Sequence, residues 1–176
     1  MSADPTRVDL AASFSPDPLV RRMRGRATHG NTPFDVTFVS QIDGNLWQGG
    51  CQEGLILPEF IQHVVSLYPW EQYAVRHDLK SALTFRMLDS EDQEFDGVLA
   101  LAKWVVACVE DGPTLVHCQA GLNRSSLVAA AALWLTGDSP ERAVQKIRGT
   151  RSPACLCNKA FERWVLEDLS RQAVMA

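Results

Sequence analysis

The sequence predicts an α/β domain in which a central, mostly parallel sheet is flanked by helices. Short apolar segments typical of strands come first and are interleaved with later segments whose apolar residues recur at helical spacing. The length of 176 residues suits one domain, and a composition of 46% apolar and 22% charged residues is that of an ordinary globular protein. We expect residues 34–176 to form this domain and residues 1–33 to form an extended or irregular arm.

The expected arm combines prolines with a basic run at Arg21, Arg22, Arg24 and Arg26. We interpret this run as a solvated extension in preference to a binding site for an acidic partner. The net charge of -4 gives no overall electrostatic reason to expect nucleic acid or an anionic membrane as a partner. Any anion-binding site is therefore expected to be local.

Cysteine usage and apolar patterning predict a cytoplasmic protein. The five cysteines are an odd number and include no CxxC pair, which favours reduced thiols over a disulfide framework or a zinc site. Charged residues and prolines interrupt the N-terminus, so we expect no signal peptide. The longest apolar stretch, residues 127–135, is too short to cross a membrane.

The strands are predicted from apolar segments and turn residues. Asp43-Gly44-Asn45 has strong hairpin chemistry between two apolar segments. The segment 114–116 shows no alternation of polar residues, which predicts a central strand that is buried on both faces. The predicted strands are residues 36–42, 46–50, 63–67, 83–88 and 114–116.

Start and stop signals predict four helices. Ser90 and Gln93 have the spacing of a capping box, which predicts that the first helix begins at Ser90. Ser139 followed by Pro140 predicts another helix start. The predicted helices are residues 90–111, 124–136, 140–149 and 158–171.

The most informative segment, residues 117–125, joins the predicted central strand directly to a helix. A loop of this length can turn successive main-chain N–H groups inward. Together with the positive end of the helix, these groups form a nest for a tetrahedral anion. The residues expected to bind the anion are Gln119, Ala120, Gly121, Leu122, Asn123 and Arg124.

The residue types in this loop suit phosphoryl transfer. Cys118 is the expected nucleophile, since the amides and the helix dipole stabilise negative charge on its sulfur. Arg124 can give two parallel N–H bonds to phosphoryl oxygens, and Gly121 permits a sharp turn. Ser125 can donate to the sulfur and ease its departure, while His117 is expected to orient the loop from behind. An inert cysteine before a helix is the alternative, and this combination of residues disfavours it.

These residues match a known signature. Residues 117–125 fit the pattern HCxxGxxR[ST] of the protein tyrosine phosphatase superfamily, and the small chain resembles its dual-specificity branch. Residues 46–50 are similar to an early strand of that branch. Arg148, Arg151 and residues 158–161 resemble its C-terminal pattern, in which the Asn braces the phosphate loop. The resemblance implies a cofactor-free and metal-free phosphatase that acts on a phosphorylated protein or peptide through a phosphocysteine intermediate.

Cleavage of a phosphate ester also needs a proton for the leaving oxygen and then a base for the attacking water. The family uses an Asp from a loop well before the cysteine, and both Asp89 and Asp92 lie in such a region. The predicted capping box places Asp92 in the first helical turn and leaves Asp89 in the loop, which favours Asp89. The expected catalytic residues are Cys118, Arg124, Asp89, Ser125 and His117.

Other sequence features leave alternatives open. The signature loop contains no lysine, which disfavours inositol lipids and polyphosphates but does not separate phosphotyrosine from phosphoserine or phosphothreonine. Trp70 and Tyr73 either stack on a substrate ring or pack within their loop. Cys155 and Cys157 either include a thiol that traps oxidised Cys118 or are small buried residues, and we favour burial.

Three other classes of function share parts of this chemistry. A phosphate-binding pseudophosphatase would keep the loop without turnover. A sulfurtransferase or an arsenate reductase would use a cysteine in a comparable loop without needing Asp89. An RNA 5′-phosphatase or a lipid phosphatase would differ only in the substrate.

Overall fold

A five-stranded sheet with the strand order β3-β4-β7-β5-β6 forms the centre of the protein. The computed structural model describes residues 15–172. The strands are β1 Arg22–Arg26, β2 Pro33–Thr37, β3 Val39–Asp43, β4 Leu46–Gly49, β5 His63–Ser66, β6 Ser81–Thr84 and β7 Thr114–His117. The helices are α1 Val98–Asp111, α2 Arg124–Leu135, α3 Pro140–Thr150, α4 Lys159–Arg163 and α5 Leu169–Gln172, with a π-helical turn at Trp164–Asp168 between the last two.

The sheet is mostly parallel, as predicted. Strand β7 lies between β4 and β5 and runs parallel to both, and β6 extends the sheet in parallel. Only β3 is antiparallel, and it forms the predicted hairpin with β4. His117 pairs with Gly49 on one side and with Ser66 on the other, so three strands end at one level. The loops that follow them therefore emerge together at this edge, where open α/β sheets bind ligands.

Helix α2 lies in the middle of the helical layer. All of its residues from 124 to 133 are buried, and it packs against α1, α3 and the strands β4 and β7. Its Ala- and Leu-rich sequence has no polar face because neighbours surround it on every side. This packing fixes the start of α2 relative to the end of β7, and the short segment 118–123 must bridge the two.

Three predicted elements differ from the structure. The predicted strand 36–42 is divided at Phe38 into β2 and β3, which belong to different sheets. Helix α1 begins at Val98 and not at Ser90, because the Gln93 side chain accepts a hydrogen bond from Leu88 N at 2.6 Å instead of closing a capping box. Ser90 Oγ accepts from Asp92 N at 3.1 Å and caps only a turn. The predicted strand 83–88 is also wrong beyond Thr84, since the regular ladder with β5 ends there.

The expected irregular arm is likewise wrong for Arg22–Arg26, which form β1. Strand β1 pairs with β2 in an antiparallel hairpin whose register joins Arg24 to Asp35. The Asp35 carboxylate lies 2.6 Å from Arg22 Nε and 3.0 Å from Arg24 Nε, which offsets the repulsion within the basic run. Residues 1–14 lie outside the described residues.

Within residues 15–172, no helix combines the length and the apolar character that a membrane crossing requires.

Candidate active site

The segment between β7 and α2 folds around the Cys118 sulfur. Gly121 N donates a hydrogen bond to Cys118 Sγ at 3.2 Å, so a main-chain amide points inward at the thiol. Gly121 has φ of +68°, and a Cβ at this position would overlap the main chain of Gly49. Only glycine fits this turn without strain. The sulfur itself is buried at the end of the central strand.

Main-chain contacts with the neighbouring strand hold this loop in place. Cys118 N donates to Gly49 O at 3.1 Å, and Cys51 N donates to Gln119 O at 3.0 Å. On the other side, Leu156 N donates to Leu122 O at 2.9 Å. The loop is therefore fixed at both flanks before any ligand binds, which is the preorganisation that an anion site needs.

Arg124, the first residue of α2, lines the same cavity as Cys118 and keeps a donor without a partner. Its side chain is only 8% exposed, and its Nε has no hydrogen-bond partner in the described structure. Its Nη1 donates to Met87 O at 3.4 Å, and its guanidinium lies 5.1 Å from the ring centre of Tyr68. A buried guanidinium with a free N–H and no carboxylate is costly unless an anion completes it. The residues present thus fit a phosphoryl group.

Ser125 contacts the sulfur and is itself oriented by a residue on β4. Ser125 Oγ lies 3.5 Å from Cys118 Sγ. Gln48 Nε2 donates to Gly121 O at 3.0 Å and lies 3.2 Å from Ser125 Oγ and 2.6 Å from Ser126 Oγ. The carbonyl of Gly121 can only accept, which fixes the orientation of the Gln48 amide. From the sequence Gln48 was expected only as part of an early strand, and its contact with Ser125 was not predicted.

His117 is the last residue of β7 and is buried next to Cys118. It is 1% exposed, and its Nδ1 is 3.4 Å from Cys118 O. Burial lowers the pKa of His117 to about 4, so the ring is neutral at physiological pH. The edge of the Tyr73 ring packs against it, and Tyr73 Oη donates to Gly50 O. Tyr73 is therefore a buried support of the loop, which excludes it as a platform for substrate.

Asp89 reaches the same site from the loop before α1. Its Oδ2 accepts from Asn123 Nδ2 at 3.1 Å, and its Oδ1 accepts from Asn158 Nδ2 at 3.1 Å. His29 Nε2 lies 3.3 Å from Oδ1 and 3.2 Å from the main-chain oxygen of Asp89. Asp92, the competing candidate, lies exposed on the following turn. His29 was not predicted, because its partner is distant in sequence.

Arg151, which was expected only from the family resemblance, binds main-chain carbonyls of the catalytic loop. Its Nε donates to Gly121 O at 2.6 Å, and its Nη2 donates to Ala120 O at 3.1 Å. Its Nη1 donates to Thr37 O at 3.1 Å and to Ser40 Oγ at 2.9 Å. Desolvation in this buried position lowers the pKa of Arg151, but a guanidinium still remains charged. Two carbonyls of the loop therefore accept hydrogen bonds from a buried cation.

The other four cysteines have the properties of inert thiols. Burial raises the pKa of Cys51 to about 12, with the Glu71 charge adding to the effect. Burial also raises the pKa of Cys108, Cys155 and Cys157 above the ordinary value. These thiols are protonated at neutral pH and react slowly. The interpretation of Cys155 and Cys157 as small buried residues is therefore favoured.

One cavity of about 150 Å³ collects most of the predicted site residues. Trp70 lies outside this lining, 58% exposed, with its ring 5.0 Å from the Tyr68 ring and 5.0 Å from the Arg86 guanidinium. The N-terminal hairpin unexpectedly supplies one wall of the cavity. The lining residues are Arg26, Ala27, Thr28, Phe34, Asp89, Cys118, Gln119, Ala120, Leu122, Asn123 and Arg124.

Across residues 15–172, no group of three or more His, Cys, Asp or Glu side chains is placed to hold a metal ion. Arg124, Arg151 and main-chain amides supply positive charge around the catalytic loop.

Comparison with known proteins identifies the fold. No protein-family model and no curated protein sequence matches this chain. Solved structures do match. A mouse putative dual specificity phosphatase, crystallised with zinc tungstate, is 22% identical with a TM-score of 0.64, over 78% of this chain and 91% of that one. Human DUSP28 is 18% identical with a TM-score of 0.66, over 79% of this chain and 96% of the other.

A third solved structure has a similar fold. The human tyrosine phosphatase-like serine/threonine/tyrosine-interacting protein is 16% identical with a TM-score of 0.63, over 78% of this chain and 98% of that one. The chain therefore has the fold of the dual-specificity and tyrosine phosphatases. At identities this low, the structural similarity shows the fold and leaves the activity open.

Proposed function

We propose that this protein is a protein-tyrosine or dual-specificity phosphatase that works through a phosphocysteine intermediate. One observation carries the proposal. The Cys118 sulfur receives the Gly121 N–H in the same cavity that Arg124 and Asp89 line, and Arg124 keeps a buried donor without a partner. A nucleophile, an anion clamp and a proton carrier thus share one small space.

In the first step, the Cys118 thiolate attacks phosphorus in line and forms an S–P bond as the ester P–O bond breaks. Asp89 gives its proton to the leaving oxygen. Arg124 and the loop amides hold the three equatorial oxygens in the planar arrangement of the transition state and stabilise the charge that is spread over them.

In the second step, water attacks the phosphocysteine and the S–P bond breaks. Asp89, now a carboxylate, takes a proton from this water, and inorganic phosphate is released. The amide donors Asn123 and Asn158 orient the carboxylate for this role. The Ser125 hydroxyl, next to the sulfur, stabilises the departing thiolate.

The proposed substrate is a phosphorylated side chain of a protein. The cavity is lined by loops at an open edge of the sheet, and Phe34 gives it one apolar wall. The catalytic loop contains no lysine that would favour a polyphosphorylated headgroup. The unpaired thiols fit a reducing compartment, and we propose a cytoplasmic location on that basis.

Hydrolysis of p-nitrophenyl phosphate by the wild type and by Cys118→Ser tests the proposal. We expect wild-type hydrolysis that vanadate inhibits, and a loss of at least about 10³-fold in the variant. Cys155→Ser is the matched control, because the pKa of that buried thiol is raised and it takes no part in the proposed reaction. Binding of phosphate without hydrolysis by the wild type would instead indicate a pseudophosphatase.

A further inference from the structure

The β1–β2 hairpin is held at its base by the following strand and at its tip by Asp89. At its base, Phe38 N donates to Arg21 O at 3.0 Å, which connects the hairpin to the strand that follows it. At its tip, His29 Nε2 contacts the side chain and the main chain of Asp89. Ala27, between these points, is buried in the main hydrophobic core. The hairpin is therefore a fixed part of the site.

This hairpin supplies four residues to the lining of the cavity: Arg26, Ala27, Thr28 and Phe34. The same cavity is lined by Asp89, Cys118 and Arg124. Because the cavity is small, a phosphorylated side chain bound in it would bring the groups next to the phosphorylated residue close to the hairpin.

Alternate residues of β1 form a basic row in which the last member differs from the others. Arg22 and Arg24 both pair with the Asp35 carboxylate, one with each oxygen. Arg26 has no carboxylate partner among residues 15–172, and its Nη1 donates only to Asn31 O at 3.0 Å. It is also the member of the row that lines the cavity.

The charge of Arg26 is not balanced within the cavity either. Asp89 is the carboxylate in the described lining, and its hydrogen bonds come from Asn123, Asn158 and His29. Arg124 has the reacting phosphoryl group as its proposed partner. The lining therefore includes a second arginine, and the N–H donors of Arg26 that Asn31 does not use are available to a ligand.

We propose that Arg26 forms a subsite for a second anionic group of the substrate, next to the phosphate that is removed. The substrate is then a phosphoprotein with Asp, Glu or another phosphorylated residue beside the target. A planar guanidinium suits this role, since it can bind a carboxylate or a phosphate through two parallel N–H bonds. The inference rests on the proposed phosphatase activity and adds a substrate class to it.

Matched phosphotyrosine peptides test the subsite. One series carries Glu at the flanking positions, a second carries Gln there, and a third carries phosphoserine. We expect the wild type to favour the Glu and phosphoserine peptides over the Gln peptide by about fivefold in kcat/KM, the gain typical of a partly exposed ion pair. In Arg26→Gln this ratio should fall to one, and Arg26→Lys should keep part of it.

Arg24→Gln is the control, because it removes the same charge from the same face of the same strand but from an arginine that Asp35 already pairs. It should keep the wild-type ratio. An Arg26→Gln ratio equal to that of the wild type would overturn the subsite, as would a wild type that does not distinguish the peptides. A soluble inositol polyphosphate preferred over every peptide would contradict the phosphoprotein assignment.

Hydrolysis of p-nitrophenyl phosphate by the wild type distinguishes failure of the subsite from failure of the proposed phosphatase activity. Normal hydrolysis together with no preference for acidic peptides overturns the subsite alone. No hydrolysis of any substrate overturns the proposed function, and the subsite with it.

Discussion

Gln48 Nε2 lies 3.2 Å from Ser125 Oγ, and the same hydroxyl oxygen lies 3.5 Å from Cys118 Sγ. One amide hydrogen of Gln48 goes to Gly121 O, and the other lies between Ser126 Oγ and Ser125 Oγ. Donation of this second hydrogen to Ser125 leaves the Ser125 hydroxyl hydrogen to point toward the sulfur. A buried glutamine on β4 thus sets the direction of a hydrogen bond that matters when the sulfur is the leaving group.

Gln48→Leu is therefore expected to slow the second chemical step more than the first. Loss of one oriented hydrogen bond should lower kcat by about tenfold while kcat/KM, which ends at the first irreversible step, changes little. A burst of p-nitrophenol before the steady state would show that the phosphocysteine accumulates. Ser125→Ala should give the same pattern, and the double variant should add nothing to it. Equal losses in kcat and kcat/KM would contradict this role.

Asp89→Ala is expected to lower kcat by about 100-fold, since it removes the proton donor and the base. Asp92→Ala should change kcat less than about twofold, because that side chain lies exposed on a turn. A substrate with a better leaving group, such as an aryl phosphate that needs no protonation, should partly restore the first step in Asp89→Ala. Equal losses in the two variants, or the reverse order, would contradict the assignment.

Arg151→Lys tests the buried support beneath the loop. A lysine cannot reproduce four hydrogen bonds, so carbonyls of the loop lose their donors in a buried site. We expect the free energy of unfolding to fall by about 2–4 kcal/mol and the inhibition constant of inorganic phosphate to rise. Urea denaturation and phosphate competition measure these effects. Arg142→Lys, at a largely exposed arginine, should change neither; a similar effect in both variants would count against the support role.

His117 should make stability depend on pH. Its pKa is about 4 in the folded protein because of burial, while the unfolded chain has the ordinary value near 6.5. The unfolded state then binds more protons between these two values, so this contribution to stability is complete above about pH 6.5 and is lost as the pH falls toward 4. At pH 5 the loss amounts to about 2 kcal/mol.

Urea denaturation at pH 7 and at pH 5 measures this contribution. His117→Asn should be less stable at pH 7, but its stability should fall less between the two values, since the other histidines are common to both proteins. An identical fall in both proteins would refute the assignment.

The sequence predicted those parts of the site that are continuous in the chain. The anion-binding loop from Cys118 to Arg124 was predictable from one continuous segment. Its amides, thiol and guanidinium need only a strand before them and a helix after them. The parallel sheet was predictable for the same reason, from local apolar patterns and turn residues.

Arg151 and Asn158 were expected from the resemblance alone, whereas the contacts of Gln48 and His29 were not predicted, because each joins distant segments. Gln48 meets Ser125, and His29 meets Asp89, only once the sheet and the hairpin have formed. The start of α1 was predicted wrongly. Ser90 and Gln93 have the spacing of a capping box, but the Gln93 side chain accepts from Leu88 N instead of from Ser90 N. Asp89 was chosen over Asp92 because of that predicted helix start. The start is wrong, but Asp89 lines the cavity and Asp92 does not.

Rapid-quench mass spectrometry tests the central claim most directly. The protein is mixed with a phosphorylated substrate, quenched in acid within the first turnover and digested. A covalent phosphoryl group on the peptide that contains Cys118, absent from Cys118→Ser and from the peptides of the other four cysteines, is the predicted result. Substrate turnover with no phosphoryl group on Cys118, or with that group on another residue, would contradict the account.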